Sequence, residues 1–492
     1  MIENIDTENL MCYHTIPGED SGVFTRFVFE KERVKMKDKE KFTGENKMGI
    51  VSTGKLLFAM AVPMMISMLV QAFYNIVDSV FVSQISENAL NAVSLAFPLQ
   101  NLMIAFGAGT TVGINAILSR ALGAKKQDEA DRVANTGIFL SLCCAVVFAL
   151  VGIFLSKPFF LVQTDIEEII TNGTDYASVC LGFSFGIFFQ FCFERLLQST
   201  GRTALTMVTQ LVGAIINIIL DPIFIFGKFG MPAMGVKGAA VATVTGQIVA
   251  AILALFMNIK FNHEIHIRLK DIRWHTETAK AIYKVGFPSI IMQSIGSVMT
   301  FTLNNILMSF TETATAVFGA YFKLQSFIFM PIFGLNNGMV PIIAYNFGAK
   351  KPDRVKSTVK ITIISAVAIM VVGAVTFETI PHVLLSFFNA SENMLAIGVP
   401  ALRIIATHFF LAGFCIIAGS VCQAIGNPFY SLIVSVCRQL VALLPAAWLL
   451  SKTGRLELVW LAFPIAELVS FTLSSIFLGK TMKKANKIMK EE

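Results

Sequence analysis

Twelve apolar stretches constrain this chain more than any motif in it, because a helix of about 20 residues is what crosses the hydrocarbon core of a bilayer. They lie near 57–82, 92–118, 134–156, 174–196, 203–227 and 237–259, and then 285–309, 317–343, 360–385, 398–421, 429–450 and 457–479. Read as soluble, 492 residues would make about three domains. Charged residues make up only 14%, however, and mean hydropathy is +0.69. No soluble core hides that much apolar surface, so the expectation is an all-α membrane protein of twelve transmembrane helices.

Charge supplies the orientation. With the N-terminus placed in the cytoplasm, cytoplasmic segments hold 31 Lys and Arg and the opposite side five, and Lys323, Arg403 and Arg438 lie within spans. That bias predicts a multi-pass protein of the cell's plasma (inner) membrane with both termini cytoplasmic. The net charge of +7 therefore reports topology and calls for no nucleic-acid partner. Residues 1–50 are expected to be a cytoplasmic, disordered extension: EKERVKMKDKEKFTGENK is charged and has no apolar face. The alternative is that translation starts near Met48. Seven of the eight cysteines fall in apolar runs without CxxC spacing, which argues against a disulfide framework or a zinc site.

An internal repeat organises the rest. RALGAKKQDEADRV aligns with YNFGAKKPDRVKST at an offset of 225, and the same register pairs Pro63 with Pro288, Gly109 with Gly334, Gly113 with Gly338, Gln198 with Gln423 and Gly201 with Gly426. Six spans per half is an even number, so both halves enter from the same side and the pseudo-two-fold runs along the membrane normal. The expected architecture is two parallel six-helix lobes, 51–275 and 276–492, with a substrate path between them. A cleft of this kind favours a transporter over a channel or an enzyme.

The repeat also exposes what is not copied. Asp78 aligns with Leu303, Glu194 with Gly419 and Asp221 with Ala446. An acid inside a span is costly unless paired, hydrated or protonated, which makes it a functional candidate. At a rise of about 1.5 Å per residue, Asp78 lies about 6 Å and Asp221 about 9 Å below the outer ends of their helices, with Thr243 at the same depth as Asp221. Asn217 is one turn beneath Asp221 on the same face. Pro222 lacks an N–H and crowds the carbonyl of Ile218, so helix five is expected to kink there and free carbonyls that can ligate a cation; the alternative is a purely structural kink. Glu194 and Arg195, at the cytoplasmic end of helix four, are either an ion pair holding an inner gate or a solvated helix end. Lys323 and Arg403 either snorkel or pair with an acid such as Glu378 or Glu467. His408, in an apolar run without a ligand partner, reads as a core histidine.

Several segments resemble the multidrug and toxic compound extrusion (MATE) family: MMISMLVQAFYNIVDSVFVSQIS, SRALGAKKQDEAD, LLQSTGRT, NIILDPIFIFGKFGMPAMGVKGAAVAT and VPIIAYNFGAKKPDRV. The likeness spans about residues 50–480. It implies two six-helix lobes in a V that export drugs and organic cations in exchange for Na⁺ or H⁺. Separately, no prosthetic group and no metal beyond Na⁺ are expected, and the protein is expected to be monomeric. Carried over, the family's cation-coupling site falls on Asp78, Asn217, Asp221 and, less closely, Thr243. A large branch of the family has an acid in helix seven. GFPSIIMQSIGSVMTFTLNNIL has none, with Gln293 its nearest polar substitute, so the chain resembles the branch that relies on first-lobe acids.

The leading reading is secondary active efflux of amphipathic or cationic compounds by rocking of two lobes. Forty-four Phe and 22 Met suit a repackable wall for varied cargo. The alternative is a flippase for a lipid-linked cell-envelope precursor, which would need clustered cations for a diphosphate. Phosphate-loop, dinucleotide and zinc-hydrolase motifs are absent from the sequence, so neither ATP-driven transport nor an enzyme is expected.

Overall fold

The computed structural model describes residues 46–388 and 390–491, and the expected N-terminal extension therefore lies almost wholly outside the described residues. Apart from short helices such as Lys47–Ile50, the described residues form twelve long helical units. In the first half these are α1 (Thr53–Ser83), α2 (Glu87–Gly123), α3 (Gln127–Gln163), α4 in two pieces (Glu167–Gly182 and Phe185–Ser199), α5 (Thr203–Phe226) and α6 (Val236–Phe261). In the second they are α7 (Thr276–Met308), α8 (Glu312–Gly348), α9 (Pro352–Thr379), α10 in two pieces (Glu392–Ala406 and Phe409–Ile425), α11 (Pro428–Ser451) and α12 (Ala462–Lys490). Ten are apolar and long enough to span alone, and the two bent units bring the number to twelve. The helices outrun the apolar stretches: α2 adds a turn or more at each end of 92–118, because polar residues such as Glu87 and Arg120 suit helix ends though not lipid.

The repeat is preserved in the backbone. α2, α3, the first piece of α4 and α5 begin at 87, 127, 167 and 203, and α8, α9, the first piece of α10 and α11 begin 225 residues later at 312, 352, 392 and 428. Ser86 caps α2 by accepting from the Ala89 N–H, and its counterpart Thr311 caps α8 by accepting from the Thr313 N–H. Such caps satisfy amides that a helix start leaves orphaned. Lys125 and Lys350 turn the chain with positive φ after those two helices, 57° and 53°.

The halves also differ where local chemistry differs. α3 runs unbroken to Gln163, whereas its counterpart α9 stops at Thr379 and a six-residue helix restarts at Pro381. Pro381 has no N–H to continue the ladder. α11 opens into a wider π-helical turn at Cys437–Leu443, just ahead of Pro445, while α5 stays α-helical over the matching residues. α4 and α10 bend by 41° and 50° at matching breaks, around Phe183 and His408.

Each half turns its first two helices onto the other: the largest inter-half contacts are α2 with α7 and α1 with α8. α2 and α8 also meet at the end of the bundle rich in Lys and Arg, the basic end. There a Cβ on Gly123 would strike the Tyr345 carbonyl, and one on Gly348 would strike the Arg120 carbonyl. Tyr345 is the 225-residue counterpart of Arg120, so the two contacts are copies related by the pseudo-two-fold. Arg120 continues the seam by donating from Nη2 to the Ala424 carbonyl at 3.2 Å.

Candidate functional site

The first-half acids converge where α1, α5 and α6 meet. α6 comes close to α5 because Gly246 has no side chain; a Cβ there would lie 2.6 Å from the Gly213 carbonyl oxygen. That approach puts Thr243 opposite Asn217. Asn217 Nδ2 stands 3.3 Å from both the Thr243 Oγ1 and the Asp221 Oδ1 to which it donates. Asp221 is fully buried and Asn217 nearly so. Asp78 lies on α1, the helix that packs along α5. Three of the oxygens in this group, Asp78 Oδ1, Asn217 Oδ1 and Asp221 Oδ2, are buried without a hydrogen-bond partner. Unpaired acceptor oxygens at this density are what a hard cation or a proton satisfies. Of the four residues grouped by depth and by resemblance, Asn217, Asp221 and Thr243 are thus neighbours in the fold, with Asp78 on the helix packed against α5.

Beside them lies a partly open cavity of about 50 Å³, walled among others by Asn217 and Thr243, by Gln71 and Tyr74 of α1, and by Gln190 and Gln210. A water needs roughly 10–15 Å³ of such space and a drug several hundred. The cavity therefore suits ions and water and excludes cargo. Sequence reading missed its four lining residues from α1, α4 and α5, although a signal existed: Gln71, Tyr74 and Asp78 follow i, i+3, i+7 spacing, and Gln210, Asn217 and Asp221 follow i, i+7, i+11.

The far wall of the cavity is the shell of Glu194. Its carboxylate accepts from Gln190 at 3.0 Å, Thr209 at 3.1 Å and Gln210 at 2.7 Å, and only 2% of the residue is exposed. This differs from a solvated helix end. Arg195 turns the other way, donating to Gln198 at 2.7 Å and to Asn337 of α8 at 3.0 Å. Among the described residues no ion pair within 4 Å joins Glu194 to Arg195, because adjacent residues on a helix project about 100° apart. Pro222 sits inside α5, which is continuous from Thr203 to Phe226 and ends at Gly227 in the left-handed region.

The MatE family model matches the chain twice, over residues 63–223 and 288–449, the second match starting 225 residues after the first. The chain belongs to the MatE family. Among its relatives, the multidrug export protein MepA of Staphylococcus haemolyticus is 27% identical over 437 residues, covering 88% of this chain and 94% of that one. MepA of Staphylococcus saprophyticus is 29% identical over 428 residues, covering 86% and 92%. An outward-facing multidrug resistance MATE transporter of the MOP superfamily superposes with a TM-score of 0.85 at 26% identity, covering 90% of this chain and 99% of that one. A MOP superfamily transporter from Pyrococcus furiosus, whose binding pocket of reverse polarity suggests a different function, gives 0.83 at 25% identity, covering 91% and 98%.

In this MatE chain the second-half cations are placed differently from one another. Arg403 Nε is 4.0 Å from the Glu378 carboxylate and 3.3 Å from its carbonyl. Arg438 meets the buried Glu467 at 3.4 Å. Lys323 has neither acid; its Nζ lies 6.0 Å from the ring centre of Phe388. His408 is buried at the bend of α10 and stacks on Phe463, 6.1 Å between ring centres.

Proposed function

We propose that this MatE protein is a secondary active multidrug exporter, driving amphipathic or cationic organic compounds out of the cell in exchange for Na⁺ or H⁺. The supporting observation is the trio of buried, unpartnered oxygens on Asp78, Asn217 and Asp221 beside a cavity too small for cargo. Thr243 completes the oxygen set. Either cation, by satisfying these groups, changes how α1 sits against α5 and α6, and α1 also packs along α8 of the other half. Cation exchange is thereby tied to rocking of the lobes 51–275 and 276–492 about the α1–α8 and α2–α7 contacts. Arg195 and Asn337 link α4 to α8 and act as part of the inner gate, with both termini in the cytoplasm and the protein monomeric in the plasma membrane.

Multidrug export by the MepA relatives supports the cargo class. The absence of an acid from the apolar stretch 285–309 of α7, where Gln293 is the nearest polar substitute, supports membership of the branch that couples through first-lobe acids. A diphosphate-binding flippase is not favoured: of the three cations within the second-half spans, two are occupied by carboxylates. Ethidium efflux measured in inverted vesicles, with Na⁺ and pH gradients imposed separately, tests the reading. Efflux driven by one of the gradients is expected, and efflux driven by ATP alone refutes it.

A further inference from the structure

Among the described residues, two of the three cations within the second-half spans have acid partners and Lys323 has none. It lies about 9 Å inside the apolar stretch that begins near residue 317. An ammonium at that depth is costly without a partner or water. In place of an acid, Lys323 has a cleft of about 500 Å³ at the α1–α8–α9 junction, lined among others by Ile76, Phe327, Leu384, Phe387 and Phe388. Apart from the ammonium and one threonine hydroxyl, the side chains around this space are hydrocarbon, and the lining residues Phe327 and Phe387 are 42% and 76% exposed. The volume is in the range of a drug-sized body, ten times that of the first-half cavity.

We infer that this cleft is a cargo subsite for amphipathic organic anions, in which Lys323 pairs with a carboxylate or sulfonate while an aromatic body packs among Phe327, Phe387 and Phe388. This deepens the efflux reading and rests on it. Charge complementarity fixes the class: a cationic ligand in this cleft would meet a like charge with no carboxylate among the lining residues to offset it, whereas an anion supplies a partner for Lys323. Ile76 carries the wall onto α1, two residues from Asp78, so an occupant touches the helix that bears a coupling acid. Anionic and cationic cargo would then be received by different parts of one transporter.

The test uses the full-length protein in nanodiscs of phosphatidylcholine, titrated with anilinonaphthalene sulfonate as the anionic probe and ethidium as the cationic one. Lys323→Gln is expected to weaken the sulfonate by about tenfold, the scale of one charged hydrogen bond. Lys323→Arg should restore it, and Lys323→Glu should weaken the sulfonate further while tightening ethidium. Because Lys323 is exposed to the cleft, these variants are expected to fold, which their melting temperatures check. Equal sulfonate affinity in wild type and Lys323→Glu would overturn the inference and leave Lys323 as a snorkelling surface residue. Displacement of the sulfonate by trace phosphatidylglycerol would overturn it in favour of a lipid site. Gradient-driven ethidium efflux by the wild type is scored separately: its loss refutes the efflux reading, whereas the Lys323 series decides the anion subsite.

Discussion

Asn217 is the residue on which the proposed cation site turns, because among the described residues it is the one side chain within hydrogen-bond distance of both Asp221 and Thr243. Its own carbonyl oxygen is left unpartnered and buried. If the site holds Na⁺, that oxygen is a ligand, and Asn217→Ala should raise the Na⁺ concentration for half-maximal efflux at least tenfold, the loss of one charged contact. If the site holds H⁺, the carboxylates carry the proton and Asn217→Ala has a smaller effect. Efflux indifferent to Na⁺ in both proteins, but collapsed by dissipating the pH gradient, rejects the Na⁺ version. The acids were legible in the sequence because a carboxylate in an apolar run is rare enough to stand out. Gln71, Tyr74, Gln190 and Gln210 were not, since neutral polar residues are common in spans and only the fold shows them sharing a cavity.

At the level of elements, one small residue sets the site. Gly246 allows α6 to lie against the Gly213 carbonyl, and Gly246→Val should push the helices apart. Overpacking of that kind costs about 1–3 kcal/mol. The variant should melt at lower temperature and lose gradient-driven efflux, and unchanged coupling would show that the Asn217–Thr243 approach is not needed. Helix number and the 225-residue register were legible, since hydropathy counts spans and the repeat carries over even to the caps Ser86 and Thr311. The bends of α4 and α10 and the π-helical turn of α11 were not. Neither bend falls at a proline, the usual sequence mark of a broken helix, and the π-helical turn is invisible to a pattern that counts apolar residues. Pro222, by contrast, carries that mark and lies in a helix that runs on.

The whole molecule is held at its basic end by paired contacts, Gly123 on Tyr345 and Gly348 on Arg120. The proposed rocking would open that seam. Replacing Thr53 of α1 and Ser357 of α9, whose hydroxyl oxygens lie 2.8 Å apart across the two halves, with cysteine in a background lacking the other cysteines should allow a cross-link that stops efflux, and reduction should restore it; efflux undiminished by complete cross-linking would argue against rocking. The repeat made two lobes legible, but which surfaces they share was not, because apolar helix faces look alike whether they meet lipid or another helix. The central claim is that the first-half acids convert a cation gradient into export. Ethidium efflux by Asp221→Asn, measured beside wild type at equal membrane insertion under imposed Na⁺ and pH gradients, tests it most directly. The account predicts that the wild type responds to one of the gradients and that the variant, isosteric but without the titratable charge, responds to neither; gradient-driven efflux at the wild-type rate in Asp221→Asn would contradict it.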